Sequence, residues 1–194
     1  MYKKQMTLQR ITCFLLIAAA ALVFVYSLGF ATDLYDSLSF FASYPETHRN
    51  YVDGAKLFLD IQPFNRELTT AGIILILSAL SLFIFRTNER RRYYIANYIT
   101  IGVNAILNVM VSVWAFTNVF DYKEKFLAVD FEKLANVAEK YDVTYTESTF
   151  WFDASYVVFG ILLAATLLSL VNLALKIVAM TAEKELLSDS PKEV

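Results

Sequence analysis

One cysteine and one histidine are the scarcest reactive groups in this chain of 194 residues. Cys13 has no second thiol to pair with, so no intrachain disulfide forms. That excludes the cysteine-stapled outer loops of claudins and tetraspanins, and it excludes quinone-linked thiol exchange, which needs at least one Cys pair. The lone His48 cannot supply the paired ligands of a membrane haem b. A zinc site would have to recruit Glu46 and Asp53 beside it, at a spacing that is not diagnostic, so His48 reads as a surface residue. Phosphate-cradling glycine loops and nucleophile elbows are missing too. Asp33, Asp36, Glu46, Asp53 and Asp60 are scattered without pattern and read as solvated loop charges, not as an acid–base pair. The sequence therefore predicts no enzyme, no cofactor and no metal, and it offers nothing to a nucleic acid.

Charge is the second thing lacking, and its absence is local. Four runs contain no Asp, Glu, Lys or Arg: Ile11–Phe30, Leu68–Phe85, Tyr93–Phe120 and Ala154–Leu175. None contains proline. A run of about 18 or more such residues crosses a hydrocarbon core of about 30 Å as a helix. A soluble four-helix bundle would carry polar residues every second or third position, and these runs do not. Interior ionisable groups, on which proton relays, voltage sensors and most ion-coupled carriers depend, are likewise wanting.

With 57% of its residues apolar and 19% charged, the chain reads as an all-α integral membrane protein. The expected architecture is a single four-span antiparallel bundle, with spans at about 11–30, 68–86, 93–120 and 152–178. Put the N-terminus, the 86–92 turn, Lys176 and the tail 179–194 on one side. That side then holds ten Lys and Arg against five carboxylates, and the other holds seven against fourteen. The positive-inside rule places both termini in the cytoplasm and the 31–67 and 121–151 segments outside. The cysteine-free outer segments fit a bacterial cytoplasmic membrane.

A cleaved signal peptide is the alternative for residues 1–31, since Lys3 and Lys4 precede the run and Gly29-Phe30-Ala31 resembles a cleavage site. The run of about 20 residues exceeds the roughly 7–15 of a signal core, which favours a retained span. In the first outer segment, Pro45 and the spacing of Tyr51, Ala55, Phe58 and Leu59 predict a short surface helix over about 45–60. Pro63 is expected to break the chain after it, with Asn65 capping the second span. The Arg86, Arg90, Arg91 and Arg92 turn reads as a topology anchor, with anionic lipid as its alternative partner.

The second outer segment carries the clearest amphipathic helix. Leu127, Phe131, Leu134, Ala138 and Tyr141 share one face, away from Glu132, Lys133, Glu139 and Lys140. Without a polybasic side, that face is expected to dock on protein instead of lipid. Thr149 is expected to cap the fourth span, with Asp153 at its positive end and Trp151 at the interface.

The unusual feature is a stripe of amides in the third span. Asn97, Thr100, Asn104, Asn108, Ser112, Ala115 and Asn118 fall on one side, with Ile99, Val103, Ile106, Val109, Val113 and Phe116 opposite. An amide in hydrocarbon costs several kcal/mol without a partner, so the stripe must face protein or water. Ala165, Ser169 and Asn172 make the natural mate on the fourth span, with Lys176 at its cytoplasmic end. A packing seam is expected over a solute path, because no ionisable group or helix break lies near. The leading functional expectation is a non-enzymatic accessory or scaffolding subunit of a larger membrane assembly, with a transporter as the expected partner. A small homo-oligomeric carrier or channel lined by Asn104 and Asn108 is the alternative. An outer-face enzyme using His48 and Asp53 comes third.

Overall fold

The structure, a computed structural model, describes residues 2–30, 42, 54–86 and 94–188, with side chains described for 7–30, 42, 54–84, 98–178 and 181. It is a multi-pass helical bundle, and four of its helices are long and apolar enough to cross a membrane. The helices are α1 (Tyr2–Phe30), α2 (Ala55–Arg86), α3 (Tyr94–Leu127), α4 (Phe131–Tyr141) and α5 (Phe150–Ser188). No strand occurs among the described residues. The four long helices close a ring: α1 packs on α2 and α5, and α3 packs on the same two.

Each long helix buries one stripe. On α1 it is Cys13, Leu16, Ala20, Val23, Ser27 and Phe30, spaced by three or four residues as a helix face requires. Ala19 and Ala20 are buried, and α2 comes close enough there that a Cβ on Gly72 would lie 3.0 Å from the Phe24 Cα. Small residues permit that approach. Outward faces carry large apolar side chains. Ile99, Val103, Ile106, Val109 and Val113 of α3 are exposed, as the stripe pattern requires, while Phe116 is half-buried against the rings of Tyr156 and Phe159.

Pro63 does not break the chain. Helix α2 begins at Ala55 and runs through the proline, so residues 55–60 belong to it and not to a separate surface helix. Residues 45–53, the rest of that expected helix, lie outside the described residues. The buried stripe explains the continuity. Leu57, Ile61, Phe64 and Leu68 lead into Leu75, Ala79 and Leu82 at helical spacing, and this packing outweighs one lost N–H to the Leu59 carbonyl. Asn65 is accordingly no cap; its carbonyl accepts from Thr69 Oγ1 at 2.8 Å, inside the helix.

Helix α3 also outruns its expected span, by about two turns, because Val119 and Phe126 continue its buried face. Helix α5 continues in backbone to Ser188, past the expected end of span four. The starts of α2 and α5, the end of α3, and α4 meet at the end away from the termini. Rings join them there: Phe30 on Phe64 and Phe152, Phe126 on Phe131 and Phe152, Phe64 on Trp114 and Tyr122, all with centroids 5.1–6.0 Å apart. The Tyr122 hydroxyl donates to the Asp60 carbonyl at 3.0 Å, and the Tyr26 hydroxyl to that of Trp151 at 3.0 Å. A Cβ on Gly29 would enter the Trp151 ring, 2.1 Å from its nearest atom.

Candidate functional site

Asn104 and Asn108 are each 1% exposed, one helical turn apart on the inner face of α3. Asn104 Nδ2 donates to Ser78 Oγ of α2 at 3.0 Å. Asn108 Nδ2 donates to Thr166 Oγ1 of α5 at 2.8 Å and to Asn104 Oδ1 at 3.1 Å. Thr166 Oγ1 in turn donates to the Leu162 carbonyl at 2.8 Å, and Ser112 Oγ to that of Asn108 at 2.7 Å. Three helices are thus tied by one chain of neutral hydrogen bonds. Each interhelical bond of this kind contributes about 0.6–2 kcal/mol in a bilayer.

The remaining members of the stripe behave differently. Asn118 is half-buried and bonds only within α3, to the Trp114 carbonyl at 2.8 Å. Thr100 is half-buried nearer the start of α3, and the side chain of Asn97 lies outside the described residues. On α5, Ala165, Ser169 and Asn172 are all buried, on the side that also holds Thr166. The row ends at Lys176, buried, whose Nζ donates to Gln9 Oε1 of α1 at 3.2 Å and lies 5.8 Å from the Tyr98 ring centre.

Sequence reasoning missed Ser78, Thr166 and Gln9. Thr166 stands one turn before Ser169 and so continues a visible row. Ser78 carries a weaker signal, being a hydroxyl that can equally bond its own helix. Its neighbour Ser81 does so, to the Ser78 carbonyl at 2.6 Å.

The outer amphipathic face divides in two. Leu134 and Ala138 of α4 are buried by the chain itself, and Phe131 is half-buried against Phe126. Leu127 belongs to the last turn of α3 and is 60% exposed, while Tyr141 is 47% exposed. Asp130 caps α4 by accepting the Lys133 N–H at 3.0 Å. Asp142 closes it in a left-handed conformation, φ 52°, with the Val143 N–H on the Ala138 carbonyl and the Asp142 N–H on that of Glu139. This is the two-bond Schellman closure. At the start of α5 the Thr149 hydroxyl donates to Asp153 Oδ2 at 2.7 Å and does not accept a backbone N–H. Ser148 Oγ takes that role, accepting from Phe150 at 3.2 Å.

Arg90, Arg91 and Arg92 lie outside the described residues, as do His48, Glu46 and Asp53; Arg86 ends α2 in backbone alone. Among the described residues no group of three or more His, Cys, Asp and Glu could hold a metal ion. Comparison of the chain with protein-family models, with curated proteins and with solved structures finds no match.

Proposed function

We propose that this protein is a non-catalytic tetraspan subunit that attaches to another membrane protein through the part of it that stands outside the bilayer. The observation that carries the reading is the contrast between the two regions. Inside the membrane the amides bond to each other and to hydroxyls of the same bundle. Outside it, Leu127, Tyr141 and Tyr145 stay exposed on and beside α4. Exposed apolar and aromatic side chains are what a protein interface recruits. The paired amides also weigh against a solute path, because a lining must offer its donors to the solute and these are engaged at 2.8–3.1 Å.

The charge asymmetry supports an orientation with both termini in the cytoplasm, which puts α4 on the outer face of a bacterial cytoplasmic membrane. Deleting α4 is a poor test, because Leu134 and Phe131 belong to the core. A photocrosslinking residue at Leu127 or Tyr141 in native membranes tests the proposal directly. Adducts with another polypeptide are expected at both positions and not at the lipid-facing Ile161. A monodisperse monomer from native membranes, with no polypeptide adduct at either position, overturns it.

A further inference from the structure

On the outward side of the α3–α5 pair, near the end away from the termini, lies a recess of about 540 Å³ lined by Phe116, Thr117, Phe120 and Tyr156. Its mouth carries charge of both signs. Lys123 lies one turn beyond Phe120 on α3, and Asp153 lies one turn before Tyr156 on α5. Lys123 Nζ donates to Asp153 Oδ1 and sits 5.9 Å from the Tyr156 ring centre. Both groups keep capacity. An ammonium has three donors and a carboxylate about four acceptor positions, and the Asp153 side chain is half exposed. Below the ring, one turn deeper on α5, a Cβ on Gly160 would meet nothing within 4 Å. The α5 side of the recess is therefore open toward the bilayer centre.

We propose that this crevice binds one phospholipid whose headgroup carries a primary amine. An acyl chain lies along Phe120, Phe116, Tyr156 and Gly160. The phosphate accepts from Lys123, and the amine donates to Asp153. Charge complementarity selects this occupant. A glycerol headgroup offers the Asp153 carboxylate only neutral hydroxyls and no positive charge. A quaternary ammonium satisfies the sign but has no N–H to donate. From Lys123 to Phe116 is seven residues, about 10 Å along the helix axis, which separates a headgroup from the upper part of its chain. The site faces the bilayer and is separate from the exposed residues of α4, so it stands whether or not those bind a partner.

The test is lipid titration of the purified protein by native mass spectrometry, with phosphatidylethanolamine, phosphatidylcholine and phosphatidylglycerol of identical chains. The ethanolamine lipid is expected to bind about fivefold tighter than either other, the scale of one partly exposed charged contact. Asp153→Asn should remove that preference, whereas Lys123→Gln, which loses the contact to the phosphate common to all three, should weaken every lipid and leave the preference standing. Gly160→Leu leaves the charged pair intact and fills open space, so the protein folds, yet all three lipids should bind several-fold more weakly. Equal binding of the three lipids by the unaltered protein overturns the proposal. So does an undiminished preference in Asp153→Asn, or unchanged binding in Gly160→Leu. A photocrosslinking residue at Phe120 that captures a polypeptide helix in place of lipid overturns it as well.

Discussion

Replacing Asn108 by alanine tests whether the amide chain binds α3 to α5. The substitution removes the hydrogen bonds to Thr166 Oγ1 and Asn104 Oδ1 and strips a buried acceptor of its partner. One interhelical bond is worth about 0.6–1.7 kcal/mol in a bilayer, and an abandoned buried acceptor costs about 1–3 kcal/mol. Asn108→Ala should therefore destabilise the bundle by about 2–3 kcal/mol. Thr166→Val keeps the shape and loses only the hydroxyl, and Asn108 retains Asn104; about 1 kcal/mol is expected. Because both variants break the same bond, the double variant should cost less than their sum by about 0.6–1.7 kcal/mol. Reversible unfolding in mixed micelles measures all three. Asn118→Ala is the internal control, since its amide bonds only within α3 and should cost under about 0.5 kcal/mol. If Asn108→Ala and Asn118→Ala cost the same, or the cycle shows no coupling, the amides do not hold the helices together.

Three further substitutions probe the packing. Gly72→Ala must push the α1 backbone at Phe24 and should cost about 1–3 kcal/mol, whereas Gly160→Ala meets open space and should gain up to about 1 kcal/mol from helix propensity; equal thermal shifts would contradict the close α1–α2 approach. Pro63→Ala should raise the unfolding temperature, because it returns an N–H to the Leu59 carbonyl within a continuous helix; a neutral result would mean that α2 is interrupted at that point. Asp142→Gly relieves a left-handed residue at the α4 closure and should stabilise that helix by about 0.5–1 kcal/mol, read as slower amide hydrogen exchange over 131–141 with little change in the spans.

Most of the membrane architecture was legible because hydrocarbon leaves the chain so few options. A charge-free run of this length has to be a helix with its backbone bonds closed internally, and amides on it have to face protein. Asn104 and Asn108 do so, with Ile99, Val103 and Ile106 turned outward. Their partners were less legible. Thr166 and Ser78 are short hydroxyls that any helix tolerates by bonding them backward, so only the packed neighbour reveals which ones reach across. Pro63 misled for a related reason. Its local preference is strong, but the stripe from Leu57 to Leu68 is a tertiary fact, legible only once α1 is in place. The α4 face was legible as a side that docks on protein, but which protein it meets was not. Its spacing identifies an apolar side, and nothing in that spacing says that Leu134 joins the same buried cluster as Phe126 of α3 and Phe152 of α5.

The ring of four helices is closed by close approach at one neighbouring pair and by side-chain hydrogen bonds at the other three. Helix α1 meets α2 by close approach, with Gly72 against the Phe24 backbone. Helices α2 and α3 share the Asn104–Ser78 bond, and α3 and α5 share Asn108–Thr166. Helices α5 and α1 are tied at both ends, by Lys176–Gln9 near the termini and by Tyr26 on the Trp151 carbonyl near the loops. Directional bonds at three of four junctions matter in a bilayer, where apolar contact alone scarcely distinguishes a neighbouring helix from lipid. Those contacts orient each helix about its own axis and keep its polar side inward. The bundle can then complete itself without a fifth helix to satisfy Asn104 or Asn108. Any partner is thereby left to the surface, where, among the described residues, the apolar outer faces offer little that lipid does not already match, and the exposed residues about α4 and the charged mouth of the α3–α5 recess offer more.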